Sequence, residues 1–98
     1  MTRLDKLRTA MEKAGLDSVL ITSEINQKYL SRFSFTDGYL LITGKRACLI
    51  TDSRYREAAK AEATGFEVLC PENMMLGIRD LLAEEGIHDV GIEDRVLP

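Results

Sequence analysis

Three times along this 98-residue chain an amphipathic stretch runs into a single glycine and then into a short apolar run. Leu4, Leu7, Met11 and Ala14 recur at helical spacing, Gly15 and Leu16 follow, and residues 18–22 read Ser-Val-Leu-Ile-Thr. The run 55–64 ends at Gly65 and leads into Phe66-Glu-Val-Leu69. Ile78, Leu81 and Leu82 again recur at helical spacing, then Gly86 and Ile87 precede the run 89–93. A glycine just past a helix takes the left-handed backbone that other residues resist, and the next apolar residue packs back on the last turn. Helix–Gly–strand repeated three times leaves few architectures open. Strands alternating with helices belong to an α/β layer structure with a largely parallel sheet.

Between the first and second of these units the pattern changes. Residues 39–43 and 46–51 are two β-rich runs separated by Gly44-Lys45, the spacing and chemistry of a two-residue hairpin. Five strands result, three from the helix–Gly–strand units and two from the hairpin. Right-handed crossovers put helices on both faces of such a sheet. Periodicity alone does not fix the strand order.

Net charge is −3, with 13 cations and 16 carboxylates interspersed, so no basic stripe exists to neutralise phosphates and nucleic-acid binding is not expected. The longest basic cluster, Lys45-Arg46, reads as a solvated hairpin tip. No apolar run approaches the roughly 20 residues of a membrane span. The first residues are already amphipathic, unlike a secretory leader. Cys48 and Cys70, far apart in a chain without such a leader, read as reduced thiols, buried or half-buried, and point to a cytoplasmic location.

Three segments carry the remaining chemistry. Ser23 before Glu24 and Asn26 predicts a short capped helix with Ile25, Tyr29 and Leu30 on its packing face, closing one end of the sheet. Asn26 is alternatively a side chain that bonds backbone and fixes the loop after the first strand. The segment Asp52-Ser53-Arg54-Tyr55 falls where a strand gives way to a helix. There Asp52 or Ser53 caps the helix, Arg54 pairs with a carboxylate and Tyr55 buries its ring. The competing reading has Arg54 bind a substrate carboxylate. Residues 31–38 hold two aromatics, a cation and a carboxylate in eight positions, on a loop of the kind that carries function. The plainer reading makes Phe33 and Phe35 core and Asp37-Gly38 only a turn.

His88, the one histidine, lacks partners at ligand spacing and reads as a half-exposed residue at a strand entrance. Neither cysteine has a visibly activating context. The glycines form no phosphate loop.

Asn-x-x-Tyr-Leu-Ser-x-Phe at 26–33, followed by Asp-x-Arg-Tyr-x-x-x-Ala at 52–59, resembles the N-terminal domain of the creatinase, prolidase and Xaa-Pro aminopeptidase family. The resemblance covers residues 2 to about 93. It implies a three-layer α/β/α domain with a mixed five-stranded sheet of order 3-2-1-4-5, strand 2 antiparallel to the rest, a ribonuclease H-like motif. It implies that residues 1–98 are a non-catalytic domain, truncated, with the catalytic domain absent. That domain carries the metal ligands and two divalent ions (Mn, Co or Zn), so no catalytic or metal residue is expected in this chain. A further implication is that the loop after the second helix approaches a neighbouring subunit's active site, which makes Arg32, Phe35 and Asp37 substrate-proximal or interface candidates. Asn26, Tyr29, Asp52, Arg54 and Tyr55 are the structural motif. The implied partners are the protein's own C-terminal domain, a second copy in a homodimer and, for the parent protein, proline-containing peptides. With strand 3 at the sheet edge, residues 46–51 also become a candidate contact surface. Relatives usually carry Gly where this chain has Arg32, which leaves the loop's geometry open. Two other readings stand beside this one: a protein-binding scaffold domain of a pseudo-peptidase or creatinase-like relative, and an unrelated ligand-binding domain with its site where strand order reverses.

Overall fold

The computed structural model describes residues 2–35, 37–87 and 90–92. The helix–glycine junctions organise it. Helix α1 (Arg3–Ala14) buries Leu7 and Met11 and stops at Gly15, whose φ is 72°. The Gly15 N–H donates to the Glu12 carbonyl and the Leu16 N–H to that of Met11, the paired bonds of a Schellman cap. Helix α4 (Met74–Glu84) ends the same way: Gly86 has φ 70°, its N–H reaches Ala83, and the Ile87 N–H reaches Leu82. Helix α3 (Arg56–Glu62), preceded by one 3-10 turn at Ser53–Tyr55, ends at Ala63 and turns through Gly65 at φ 86°.

These helices feed strands β1 (Ser18–Ile21), β4 (Glu67–Leu69) and β5 (Gly91–Ile92), and the hairpin supplies β2 (Tyr39–Thr43) and β3 (Ala47–Ile50). Helix α2 (Glu24–Ser31) lies between β1 and β2. Strand β2 is antiparallel to both its neighbours, whereas β1–β5 and β3–β4 are parallel pairs. Helices cover both faces. Leu7 and Met11 of α1, Leu30 of α2, and Ala59 and Ala63 at α3 pack with Val19, Ile21, Leu40, Ile42 and Leu49. Ile78, Leu81 and Leu82 of α4 pack against Leu20, Leu41, Cys48 and Ile50 on the other side. No helix among the described residues is long and apolar enough to cross a membrane.

The sheet order is β4-β3-β2-β1-β5, not 3-2-1-4-5. The reason lies in the connection. Strand β4 follows β3 through the short helix α3, and such a crossover sets consecutive parallel strands side by side. Strand β3 is therefore interior, paired on both sides, and the expectation that residues 46–51 form an exposed edge is wrong. Arg46, expected to be solvated, ion-pairs with Glu67 at 2.8 Å and Glu84 at 3.2 Å. His88, Asp89 and Glu93 lie outside the described residues.

The hairpin has the expected two-residue loop, but neither Gly44 nor Lys45 takes a left-handed backbone. Thr43 holds it instead. Its hydroxyl accepts from the Lys45 N–H at 3.2 Å and the Arg46 N–H at 2.9 Å and donates to Glu85 at 2.9 Å. The Arg8 Nε donates to the Thr43 carbonyl at 2.9 Å, so one residue joins α1, the hairpin and the end of α4.

The seating of α2 also departs from expectation. Ser23 caps it, accepting from the Asn26 N–H at 3.5 Å. Yet Ile25 is 81% exposed and Tyr29 46%, while Gln27, Leu30 and Ser31 face inward. Ser31 explains part of this: its hydroxyl donates to the Gln27 carbonyl at 2.7 Å and accepts from the Phe33 N–H at 3.2 Å, so the chain turns back at once after the helix. Arg32 forms that turn in the left-handed region, φ 63° and ψ 19°.

Thr43→Val, which keeps shape but removes the hydroxyl, strands two backbone N–H groups and the Glu85 carboxylate. It is expected to cost about 2 kcal/mol in chemical denaturation, with Thr43→Ser restoring most of that; equal midpoints for Val and wild type would remove Thr43 from this role. Arg32→Gly relieves a left-handed side chain and is expected to stabilise by about 1 kcal/mol, seen as a raised urea midpoint; a lowered midpoint would show that Arg32 makes contacts worth more than the strain.

Candidate functional site

At the carboxyl end of β1 the chain leaves toward α2 on one face of the sheet. After β4 it enters α4 on the other. An open cleft of about 690 Å³ lies between, bounded by Thr22, Glu24 and Gln27, by Asp37, Gly38 and Tyr39, and by 72–75 at the start of α4. Crevices of this kind, outside strand ends where connections diverge, are where α/β sheets hold ligands.

Gln27 builds its floor. The side chain is 1% exposed, and its amide donates to the Ile21 carbonyl at 2.8 Å and the Gly38 carbonyl at 2.9 Å. One side chain thus ties the end of β1 to the turn at 37–38. Gly38 fits there because a Cβ would lie 2.5 Å from the Ile50 carbonyl oxygen and 2.6 Å from the Phe35 ring. Asp37, before it, is left-handed at φ 54°. Among the described residues the cleft lining includes three carboxylates, Glu24, Asp37 and Glu72, and no cation. Among the described residues no group of three or more His, Cys, Asp or Glu side chains is arranged to hold a metal ion.

The loop candidates separate. Phe35 is 4% exposed and Phe33 6%; their rings stack at 5.9 Å, and Tyr55 meets them edge-on at 6.1 and 6.4 Å. Phe35 is thus core, not a side chain presented to a substrate or partner. Asp37 lies on the cleft wall. Arg32 lies instead at the end of α2 in a different hollow, with Arg3, Ile25, Lys28 and Tyr29. The structure does not bring Arg32 and Asp37 together.

Asp52 accepts the Arg54 backbone N–H at 2.9 Å, capping the 3-10 turn. It also takes the Arg54 guanidinium through both oxygens, Nε at 3.0 and 3.1 Å and Nη2 at 2.7 Å. Nη2 reaches Asp37 at 3.4 Å, and the guanidinium lies 5.2 Å from the Tyr55 ring centre. The hydrogen bonds from Arg54 hold the Asp52 carboxyl below its usual range, and Asp52 pushes Arg54 up. Arg54 is occupied by two carboxylates of its own chain, which favours the structural reading over a substrate-binding one. Asn26 offers its backbone N–H to the Ser23 cap, and Tyr29 faces outward. Burial pushes the Cys48 thiol up to about 12, so it stays protonated and inert at neutral pH.

Sequence reading passed over Gln27 because a polar residue between Asn26 and Tyr29 looks solvent-facing. The signal present was the second stripe through the helix, Gln27, Leu30 and Ser31 at spacings of three and four. Gln27→Leu leaves two carbonyls without their donor. It is expected to cost about 2 kcal/mol, measured by urea unfolding; an unchanged midpoint would mean that water replaces the amide without loss.

Residues 3–98 match the model of the creatinase/prolidase N-terminal domain. An uncharacterised peptidase, YqhT, from Bacillus subtilis is 42% identical over 92 residues, spanning 93% of this chain and 26% of that protein. A crystal structure of an Xaa-Pro aminopeptidase from Streptococcus pyogenes superposes with a TM-score of 0.88 at 38% identity, over 92% of this chain and 70% of that one. An Xaa-Pro dipeptidase from Bacillus anthracis does so with 0.85 at 35% identity, over 97% of this chain and 27% of that one. The chain spans about a quarter of the length of the first curated relative it matches. The chain belongs to the family of creatinase/prolidase N-terminal domains found in Xaa-Pro peptidase-like proteins.

Proposed function

We propose that this chain serves as the non-catalytic N-terminal domain of a dimetal Xaa-Pro peptidase, of the aminopeptidase P or prolidase type, acting in oligomer assembly and substrate access. The carrying observation is the family match over residues 3–98 together with relatives named Xaa-Pro aminopeptidase and Xaa-Pro dipeptidase. The described residues do not fit a two-metal centre, so no step of hydrolysis is assigned to them. Two divalent ions, Mn, Co or Zn, in a C-terminal catalytic domain would activate the attacking water and polarise the scissile carbonyl. This domain's part is positional. Asp37 on the cleft wall is its substrate-proximal residue, and Arg32 at the end of α2 is its interface residue. The parent protein works in the cytoplasm as a homodimer on proline-containing peptides.

The test uses the parent protein with and without residues 1–98. With the domain it is expected to release the residue preceding proline from Xaa-Pro peptides, in a manganese-, cobalt- or zinc-dependent and chelator-sensitive way, and to sediment as a dimer. Without the domain, both the rate and the dimer are expected to fall. A parent protein that leaves Xaa-Pro bonds intact with every metal would overturn the peptidase reading, and full activity without the domain would overturn its role in access.

A further inference from the structure

Helix α2 presents an outward stripe of exposed side chains. Ile25, Lys28, Tyr29 and Arg32 follow one another at spacings of three, one and three, the positions of one helix face. Ile25 is 81% exposed and Tyr29 46%. Arg3 crosses from α1 to join them: its guanidinium donates to the Tyr29 carbonyl and lies 4.3 Å from the Tyr29 ring centre. These five residues line a shallow hollow of about 530 Å³ whose lining, among the described residues, includes no carboxylate. Among the described residues none of the three cations has an ion-pair partner, although the chain as a whole carries −3. Elsewhere Arg46 and Arg54 are each paired with two carboxylates.

An isolated exposed isoleucine is ordinary. An isoleucine and a tyrosine enclosed by three unpaired cations, in an acidic chain, have a defined complement. Resting on the interface role proposed above for Arg32, we infer that this face of α2 is a docking surface for an acidic protein segment in which carboxylates flank an apolar side chain. The apolar side chain would cover Ile25, and the carboxylates would meet Lys28, Arg32 and Arg3. The Arg3 stack fixes Tyr29 and holds one cation in place before any partner arrives, which lowers the ordering cost of binding. An RNA strand fits less well, because Arg3 already occupies the tyrosine ring and Ile25, the other exposed apolar residue of the stripe, is aliphatic. An anionic membrane fits less well, because three cations and one isoleucine are too few to anchor a protein.

The probe is a dye-labelled peptide of alternating glutamate and leucine, followed by fluorescence anisotropy, with a lysine–leucine peptide of equal length as control. The acidic peptide is expected to bind saturably and to weaken as salt shortens the screening length from about 10 Å to about 3 Å. Lys28→Glu and Ile25→Ser are each expected to weaken it about tenfold or more, and Lys28→Ala by less than Lys28→Glu. Lys60→Glu, an exposed charge reversal on α3, is expected to leave it unchanged, with thermal melts confirming that every variant is folded. Absence of binding, equal binding by the Lys28→Glu and Ile25→Ser variants, or tighter binding of polyuridylate or phosphatidylserine vesicles than of the acidic peptide would each overturn the proposal.

Discussion

Strand β2 is buried on both faces, and most of the architecture depends on it. Leu40 and Ile42 point into the layer formed by α1, α2 and α3, whereas Leu41 points into the layer under α4. Each of the three is at most 1% exposed. A strand with apolar side chains on both sides must be covered twice, so the fold needs helices on both faces. Being antiparallel to β1 and β3, it needs no helical crossover to either. Its register is set by Thr43, whose hydroxyl closes the hairpin and reaches Glu85 at the end of α4.

That arrangement makes the two ends of the sheet unlike. At the hairpin end, Arg8, Thr43, Arg46, Glu67, Glu84 and Glu85 link α1, β2, β3, β4 and α4 by side-chain bonds. At the other end α2 and α4 begin, on opposite faces, and the chain between β1 and β2 is held mainly through Gln27. Buried backbone carbonyls require partners; here a single amide supplies two of them. One end is stapled and the other is open, and the open end carries the cleft.

Much of the fold was legible because its signals are local. Helical spacing followed by Gly15, Gly65 or Gly86 depends on a few adjacent residues, and the left-handed glycines stand where that logic puts them. Strand order was not legible. Whether β4 joins β3 or crosses to β1 is decided by the length of the α3 connection and by the packing of the whole sheet. The return from β4 to β5 crosses four inter-strand spacings, about 19 Å, and the eleven residues of α4, about 16 Å long, cover much of that span on the second face. The facing of α2 was hidden for a different reason. Apolar Ile25 and Tyr29 looked like packing residues, but the Ile21 and Gly38 carbonyls hold Gln27 inward and Ser31 bonds the turn behind it.

The candidate residues divide along the same line. Asp52, Arg54 and Tyr55 act within a few residues of one another, so their capping, pairing and ring contacts follow from type and spacing. Arg32 and Asp37 are five positions apart in sequence, yet they line separate hollows, because the chain between them is occupied in burying Phe33 and Phe35. The aromatic pair turns Phe33 and Phe35 inward, and Arg32 and Asp37 stand on either side as two exposed left-handed corners. One corner adds a cation to the α2 face and the other a carboxylate to the cleft. A loop that sequence presents as one mixed-charge patch thus becomes two separate surfaces, with Arg32 on one and Asp37 on the other.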